Sequence, residues 1–314
     1  MKILFITSNR VGDAVLSSGL LGWLVDHYRE ARFTVAAGPA AAPLFADMPR
    51  LDSVITLEKK PRAGHWRELW KQCAHIRWEM IVDLRGSAIS WMLWTRRRAV
   101  FRPQYSEEHK VVQLARVLRL ETPAQPRLWC SGVRWDTAAR LVKGEGPLLA
   151  LGPTANWRGK QWPAVRFAEL TERLTAPNGP FPQARILLLG APGEQEMVAP
   201  LLHAIPDERC FNLIGRTDLL TAYACLRKAD LFIGNDSGLM HLAAAAGIPT
   251  IGLFGPSKDN HYAPWGARAL AVRGTQSFED IISAPGYDRL SGQSYMMSLT
   301  VDRVYQATLH LLAS

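Results

Sequence analysis

GNDSGLMHLAAAAGIPTIGLFGP, residues 234–256, carries the end of one strand into a helix and out into a second strand. The apolar run that begins at Leu231 stops at Asn235-Asp236, and Asp236 or Ser237 suits the cap of the helix that follows. Gly247 and Pro249 end that helix before the next apolar run, Thr250–Phe254. Strand, helix and strand in so short a span predict parallel pairing, with ligands held at the carboxyl ends of the strands. Gly238 lets a ligand approach the backbone closely, and the free amides of the first helical turn suit a phosphate. His241, about one turn further on, adds a donor or a charge near that anion. A plainer arrangement fits the same residues: Asp236 and Ser237 as caps of a buried helix, and His241 as a core histidine.

The alternation extends outward from this segment. Ile3–Thr7, Arg32–Ala37, Ser53–Leu57 and Met80–Leu84 read as strands, with helical stretches at 14–28, 40–47 and 65–77. The Trp- and Arg-rich stretch 86–135 has no clear period. A second series starts at Pro147–Gly152 and runs through strands Arg185–Leu189, Asp230–Ile233 and Thr250–Phe254, with helices near 163–174, 193–203, 218–228 and 238–246. Two such series predict an α/β chain of two Rossmann-like domains, 1–145 and 146–299, each with a parallel sheet. Leu120–Gly146, with its prolines and the turn-like Lys143-Gly-Glu-Gly146, reads as the linker. A helix over 300–314 is expected to pack back on the first domain, and the site to lie in a cleft between the domains.

The charge divides the same way. Of 37 basic and 28 acidic residues in a 314-residue chain with net charge +9, residues 1–145 hold 23 and 14, and residues 146–314 hold 14 of each. Residues 59–102 alone carry 11 basic and 3 acidic side chains, which points to an anionic partner on the first half. The opening MKILFITSNR has too short an apolar run for a signal peptide. The nearest approach to a membrane span, Ala88–Trp94, falls far short of the ~18–20 unbroken apolar residues one needs. Cys73, Cys130, Cys210 and Cys225 are scattered, as reduced thiols of a cytoplasmic protein would be.

Two further turns carry polar side chains to the expected sheet edges. Gly152-Pro-Thr-Ala-Asn-Trp-Arg-Gly-Lys-Gln-Trp-Pro163 follows the first strand of the second series, bringing Thr154, Asn156, Arg158 and Lys160. Lys160 is the best placed to neutralise a departing pyrophosphate, although a solvated loop lysine has the same pattern. In Ser8-Asn-Arg-Val-Gly-Asp13, Asp13 fits a general base or simply an acid in the first turn of a helix. There is no GxGxxG fingerprint, no GxxxxGK loop and no Asp-x-Asp pair for a metal-bridged diphosphate.

Taken together, these segments resemble the heptosyltransferase family of lipopolysaccharide biosynthesis. The resemblance is strongest in Gly234-Asn-Asp-Ser-Gly-Leu-Met-His241 and Leu253-Phe-Gly-Pro-Ser257. It continues through Lys160-Gln-Trp-Pro163, Leu189-Gly-Ala-Pro-Gly-Glu194, Leu213-Ile-Gly-Arg-Thr-Asp-Leu219 and Val11-Gly-Asp13. It implies a GT-B fold, two Rossmann-like domains whose parallel sheets face across a cleft, and an inverting transfer from ADP-heptose with no metal or other cofactor. By the same resemblance, Asp13 is the base that activates the acceptor hydroxyl, and Lys160 stabilises the leaving diphosphate. Ser237, Gly238 and His241 line the phosphates, Asp236 supports the turn and approaches the sugar, and Glu194 binds the ribose. Thr217 falls at the adenosine contact, and Thr154 and Asn156 join the donor set. The first loop departs from the family pattern, with Thr7, Asn9 and Arg10 at positions usually basic and hydroxylated. Gly19 replaces a proline, and Lys258-Asp259 replace an acid and a proline.

The resemblance places the acceptor, a lipid-linked acidic sugar, on the first domain. The basic residues available there are Arg10, Lys59, Lys60, Arg62, Arg85, Arg96, Arg97 and Arg98. Arg85, ending the fourth strand, is the one expected to face the cleft. Trp91 and Trp94 beside the Arg triplet suggest a surface resting on the inner face of an anionic membrane, or alternatively the core positions of a helix with a solvated basic face. No RNA-binding motif accompanies them, so nucleic acid is not an expected partner, and a monomer is expected. Three other readings remain open: a family member using another nucleotide-sugar or acceptor, a nucleotide-sugar epimerase, and a donor-binding module without transfer activity.

Overall fold

The computed structural model describes residues 1–103 and 106–314 and divides the chain into two compact units, Met1–Ser131 and Gly132–Ser314. The first unit contains β1 (Lys2–Ile6), α1 (Val11–His27), β2 (Arg32–Ala37), β3 (Leu51–Thr56), α2 (Gly64–Cys73) and β4 (Trp78–Asp83). It continues with α3 (Ile89–Met92), β5 (Thr95–Val100) and α4 (Lys110–Ala115). Its five strands are all parallel, in the order β3-β2-β1-β4-β5. Ile3 to Ile6 of the central strand are fully buried, which is why its sequence is a continuous apolar run rather than an alternating one. The chain leaves β1 toward β2 and β3, then crosses back to β4. The order therefore reverses between β1 and β4, and the loops after those two strands flank the place where such sheets hold ligands.

The second unit repeats the plan. It holds α5 (Gly132–Leu141), β6 (Leu148–Gly152), α6 (Ala164–Thr175), β7 (Arg185–Leu188), α7 (Ala199–Ala204) and β8 (Cys210–Asn212). It goes on through α8 (Leu219–Leu226), β9 (Leu231–Asn235), α9 (Gly238–Ala245) and β10 (Thr250–Phe254). It ends with α10 (Asp259–Tyr262), β11 (Ala269–Arg273), α11 (Phe278–Ser283) and α12 (Val301–Ala313). The sheet is parallel in the order β11-β10-β9-β6-β7-β8, so its reversal lies between β6 and β9. Trp162 and Phe167 anchor its core edge to face, 5.0 Å between ring centroids, and the Trp162 indole N–H donates to the Leu299 carbonyl at 2.8 Å.

Three sequence expectations change. The boundary falls after Ser131, not near 145, because 132–141 is helix and not linker: α5 packs on α8, and Arg134 pairs with Asp218 there. The preceding strap stays with the first unit, where the Arg127 amide donates to Ser18 Oγ at 3.0 Å and its guanidinium reaches Asp26 at 2.6 Å. Gly19 makes that possible, since a Cβ on it would lie 2.3 Å from the Ala124 carbonyl oxygen. The C-terminal helix belongs to the second unit. Val304 and Leu311 of α12 are buried in its core against α6 and β11, with an Arg173–Asp302 ion pair of 2.6 Å at the rim. Finally, the Arg triplet lies in the edge strand β5, so Arg97 points to the opposite face from Arg96 and Arg98.

Candidate functional site

In the second unit the chemistry gathers where the sheet order reverses. Lys160 comes from the loop after β6 and Asp236 from the turn after β9, and their side chains form an ion pair of 2.5 Å. Asp236 is almost fully buried, whereas about a quarter of the Lys160 side chain meets solvent. Asn235, wholly buried, ties the two loops together: its amide donates to the Pro153 carbonyl at 2.8 Å and its oxygen accepts from the Trp162 amide at 3.0 Å. The Lys160 loop is also braced from residues 294–295. The Tyr295 amide donates to the Gly159 carbonyl at 3.1 Å, and Ser294 Oγ to the Gln161 carbonyl at 2.6 Å. A Cβ on Gly159 would lie 2.5 Å from the Trp157 ring and 2.9 Å from the Tyr295 ring, so any larger residue before the lysine would push those rings aside.

The helix beyond this pair starts without a side-chain cap. Ser237 occupies the capping position of α9 with extended backbone, yet accepts no hydrogen bond from the first turn. Its Oγ is buried and has no hydrogen-bond partner among the described residues. Neither of the two expected caps therefore acts as one: Asp236 is committed to Lys160, and the Ser237 hydroxyl is unspent. By contrast, Asp218 caps α8 through the amides of Leu220 and Thr221. A helix start with free amides, a buried hydroxyl and a lysine alongside has the donors an anionic oxygen needs. Gly238 opens the helix, and His241 is buried within it.

A second cluster lies at the ends of β6 and β7. Thr154 is buried, and a Cβ placed on Gly190 would stand 3.1 Å from its Oγ1 and 3.2 Å from Glu194 Oε2, so the two side chains flank that glycine. Glu194 folds back on its own loop and accepts from the Ala191 amide at 2.7 Å. Thr217, half-buried, precedes the cap of α8, and Asn156 is exposed. Sequence reasoning passed over Arg273, the last residue of β11. Its guanidinium donates to the Gly255 carbonyl at 2.6 Å, to the Ser257 carbonyl, and to Asp259 at 2.8 Å. That clamp fixes the Gly255-Pro-Ser257 turn, where Ser257 Oγ is buried with no hydrogen-bond partner among the described residues.

In the first unit Asp13 sits in the first turn of α1, just beyond the carboxyl end of β1, with Ser8 Oγ 3.5 Å from its Oδ2. Lys110, the first residue of α4, shares its surroundings. Burial pushes the ammonium below its usual range, and the charge of Asp13 pulls it back up. Lys110 Nζ also lies 4.1 Å from the centre of the Phe101 ring. This lysine stands in the stretch whose period could not be read. Across the reversal point, Arg85 donates to Asn9 Oδ1 at 3.0 Å and stacks over Trp66 at 4.8 Å. Burial lowers the Arg85 pKa, opposed by the charge of Asp83. Asp83, fully buried at the end of β4, shapes the turn by accepting from the Arg85 amide at 2.9 Å, the Ser87 amide at 2.8 Å and Ser87 Oγ at 2.6 Å.

The remaining basic residues are not all brought together. Arg10, at the N-cap of α1, is exposed near Asp13 in the chain. Lys59, Lys60 and Arg62 are exposed, and the Lys60 pKa is raised by its hydrogen bond to Glu68. Arg96 to Arg98 pair with the early part of β4, away from the strand ends that carry Asp83 and Arg85. Arg98 is already engaged by the carbonyls of Ser90, at 2.6 Å, and Leu93, at 3.2 Å. With the boundary after Ser131, the first unit holds 20 basic and 12 acidic residues, and the second 17 and 16. The surplus thus stays on the first unit. Burial raises Cys73 to about 12 and Cys225 to about 11, so both behave as packed thiols.

Among the described residues no three His, Cys, Asp or Glu side chains cluster to hold a metal ion, and no helix is long and apolar enough to cross a membrane. Comparison with known proteins gives the family. Residues 66–280 match the model of glycosyltransferase family 9 (heptosyltransferase). The chain is 27% identical over 283 residues to lipooligosaccharide heptosyltransferase 2 of Campylobacter jejuni, covering 84% of each chain. The fold matches the structure of the Escherichia coli ADP-heptose lps heptosyltransferase II with TM-score 0.76 and 23% identity, over 100% of this chain and 99% of that one. It also matches a family 9 glycosyl transferase of Veillonella parvula with TM-score 0.81 and 19% identity, over 99% and 97%. The chain therefore belongs to glycosyltransferase family 9, the heptosyltransferase family, and is a glycosyl-transferring enzyme.

Proposed function

We propose that the chain moves a heptosyl group from ADP-heptose to an acidic sugar of the lipopolysaccharide inner core, with inversion and without a metal ion. The uncapped start of α9, with Ser237 Oγ unspent beside the Lys160–Asp236 pair, carries this reading. These donors suit the charge that builds on a departing diphosphate. The names of the relatives supply the heptose, the ADP and the lipopolysaccharide.

The reaction needs three things of the protein. Asp13 takes the proton from the acceptor hydroxyl as its oxygen bonds to the anomeric carbon. The bond from that carbon to the diphosphate oxygen breaks on the opposite side, and its electron pair leaves with ADP. Lys160 and the α9 amides receive the negative charge, which is greatest in the transition state. Thr154, Asn156, Glu194 and Thr217 hold the nucleoside part, with Gly238 and His241 along the phosphates. Arg85 and Arg10, together with Lys59, Lys60 and Arg62, draw the anionic glycolipid at the inner face of the inner membrane.

The test supplies purified protein with ADP-heptose and a detergent-dispersed lipid A–Kdo acceptor, with and without EDTA, and follows ADP release and the configuration of the new linkage. Inverted product formed equally well in EDTA is the expected outcome. ADP-heptose turnover only with an added divalent ion contradicts the metal-free part. Faster transfer from a UDP- or GDP-sugar contradicts the assigned donor.

A further inference from the structure

Away from the strand ends, the first unit carries an apolar tip. Trp91, Met92 and Trp94, at the end of α3 and the start of β5, are 59%, 65% and 55% exposed. Large apolar side chains so close together and so open are uncommon on a soluble surface and mark a place where something rests. The surrounding charge is cationic. Arg77 lies over the Trp94 ring at 5.7 Å and Arg98 over the Trp91 ring at 4.8 Å. Arg96 is largely exposed, with a 3.5 Å contact to Glu79. Helix α2 packs beside α3 and adds exposed Trp70 and Lys71.

We propose that this tip is the surface by which the protein rests on an anionic lipid bilayer, with the indoles and Met92 at headgroup depth and the arginines against lipid phosphates. It deepens the reading of a lipid-linked acceptor, on which it rests. Tryptophan suits that depth because its ring is apolar and its N–H polar, and arginine because it keeps its charge while its stem lies along apolar groups. Single-stranded nucleic acid also pairs aromatic rings with basic side chains, but stacking needs open ring faces. Here Arg77 and Arg98 lie over one face each of Trp94 and Trp91, and Met92, the most exposed of the three side chains, offers a base no stacking face. Both elements of an interfacial contact, apolar area and positive charge, are thus present on one side of the unit.

The experiment uses the full chain and vesicles of phosphatidylglycerol with phosphatidylcholine, against phosphatidylcholine alone. Partition is read by co-sedimentation and by the shift of tryptophan emission. The wild type is expected to partition onto the anionic vesicles, less so as salt rises. Trp91→Ser/Met92→Ser/Trp94→Ser, which leaves every charge in place, should lose about 10-fold or more in partition. Arg77→Gln/Arg96→Gln should lose the preference for anionic lipid while keeping weaker general adhesion. A triple variant that binds as well as the wild type overturns the proposal, as does a wild type with no preference for the anionic vesicles. Tighter, tryptophan-dependent binding to a single-stranded RNA oligonucleotide assigns the tip to nucleic acid instead. Transfer to the detergent-dispersed acceptor should be unchanged in the triple variant. If the wild type binds vesicles but makes no heptosyl product, the proposed reaction fails and the lipid surface stands.

Discussion

Replacing Lys160 by Met tests both the fold and the chemistry of the second unit. At 2.5 Å and an effective dielectric near 20, the gross attraction between Lys160 and Asp236 is about 7 kcal/mol. Most of it offsets the loss of water around two charges. Removing the lysine strands a carboxylate that is only 9% exposed, and breaking a buried pair in this way costs about 3–5 kcal/mol. A quarter of Lys160 meets solvent, so water partly replaces it and the expected cost falls to about 2–3 kcal/mol. In a unit of this size that lowers the melting temperature by about 5–10 °C. Adding Asp236→Asn should restore most of the loss, giving a coupling of about 1 kcal/mol or more in the double-mutant cycle. Turnover behaves differently. In the proposed reaction the missing charge would act mainly on the departing diphosphate, so kcat should fall about 10²–10³-fold in both the single and the double variant. Calorimetric melting of the four proteins and steady-state ADP release measure the two effects separately. A single variant that melts like the wild type and turns over within about three-fold of it refutes both roles.

Other substitutions probe other parts of the site. Burial holds the Lys110 pKa below 10.5, so the folded chain binds that proton less tightly than the unfolded one, and stability rises as pH climbs toward 10.5. Lys110→Met should therefore melt no lower than the wild type at neutral pH. It also removes a cation from beside Asp13, so the acid limb of the kcat/KM profile should move to higher pH; an unmoved limb shows that the two groups do not act together. Asp83→Ala strands three donors of the 85–87 turn and should cost about 2–4 kcal/mol in a denaturant titration, with a raised KM for acceptor and not for donor. Gly190→Ala puts a methyl group 3.1–3.2 Å from Ile214, Thr154 and Glu194, and should weaken calorimetric binding of ADP more than it lowers the melting temperature. Unchanged ADP affinity would remove Thr154 and Glu194 from the nucleotide site.

Most of the fold is legible because buried parallel strands must be apolar on both faces. β1, β6, β9 and β10 are such strands, and their runs stand out. The three strands that the sequence hid are β5, β8 and β11, and all three lie at sheet edges. An edge strand has one unpaired side and less cover, so β5 tolerates Thr-Arg-Arg-Arg and β8 is only three residues long. Helix α5 was hidden by its place in a glycine-flanked stretch, and that moved the boundary from about 145 to 131.

The site divides along the same line. As candidates, Lys160, Asp236 and Ser237 stand out in the sequence because they lie in loops that follow apolar strands, Asp236 and Ser237 immediately and Lys160 eight residues on. Asn235, Arg273 and Lys110 do not. Asn235 reads as the ordinary end of a strand, and its clamp joins backbone groups 82 and 73 residues away. Arg273 ends a hidden edge strand, and Lys110 approaches Asp13 from a helix no period revealed. Helix α12 has the amphipathic pattern of a packed helix, but nothing in that pattern names its partner, and its apolar stripe went to α6 and β11.

The role of Asp13 as the base is the centre of the account, and Asp13→Asn tests it most directly because the side chain keeps its shape and loses its basicity. With ADP-heptose and acceptor saturating, kcat should fall by about 10² or more, while calorimetric affinity for ADP-heptose stays within about two-fold of the wild type. Turnover near the wild-type rate, with donor binding intact, would contradict the account.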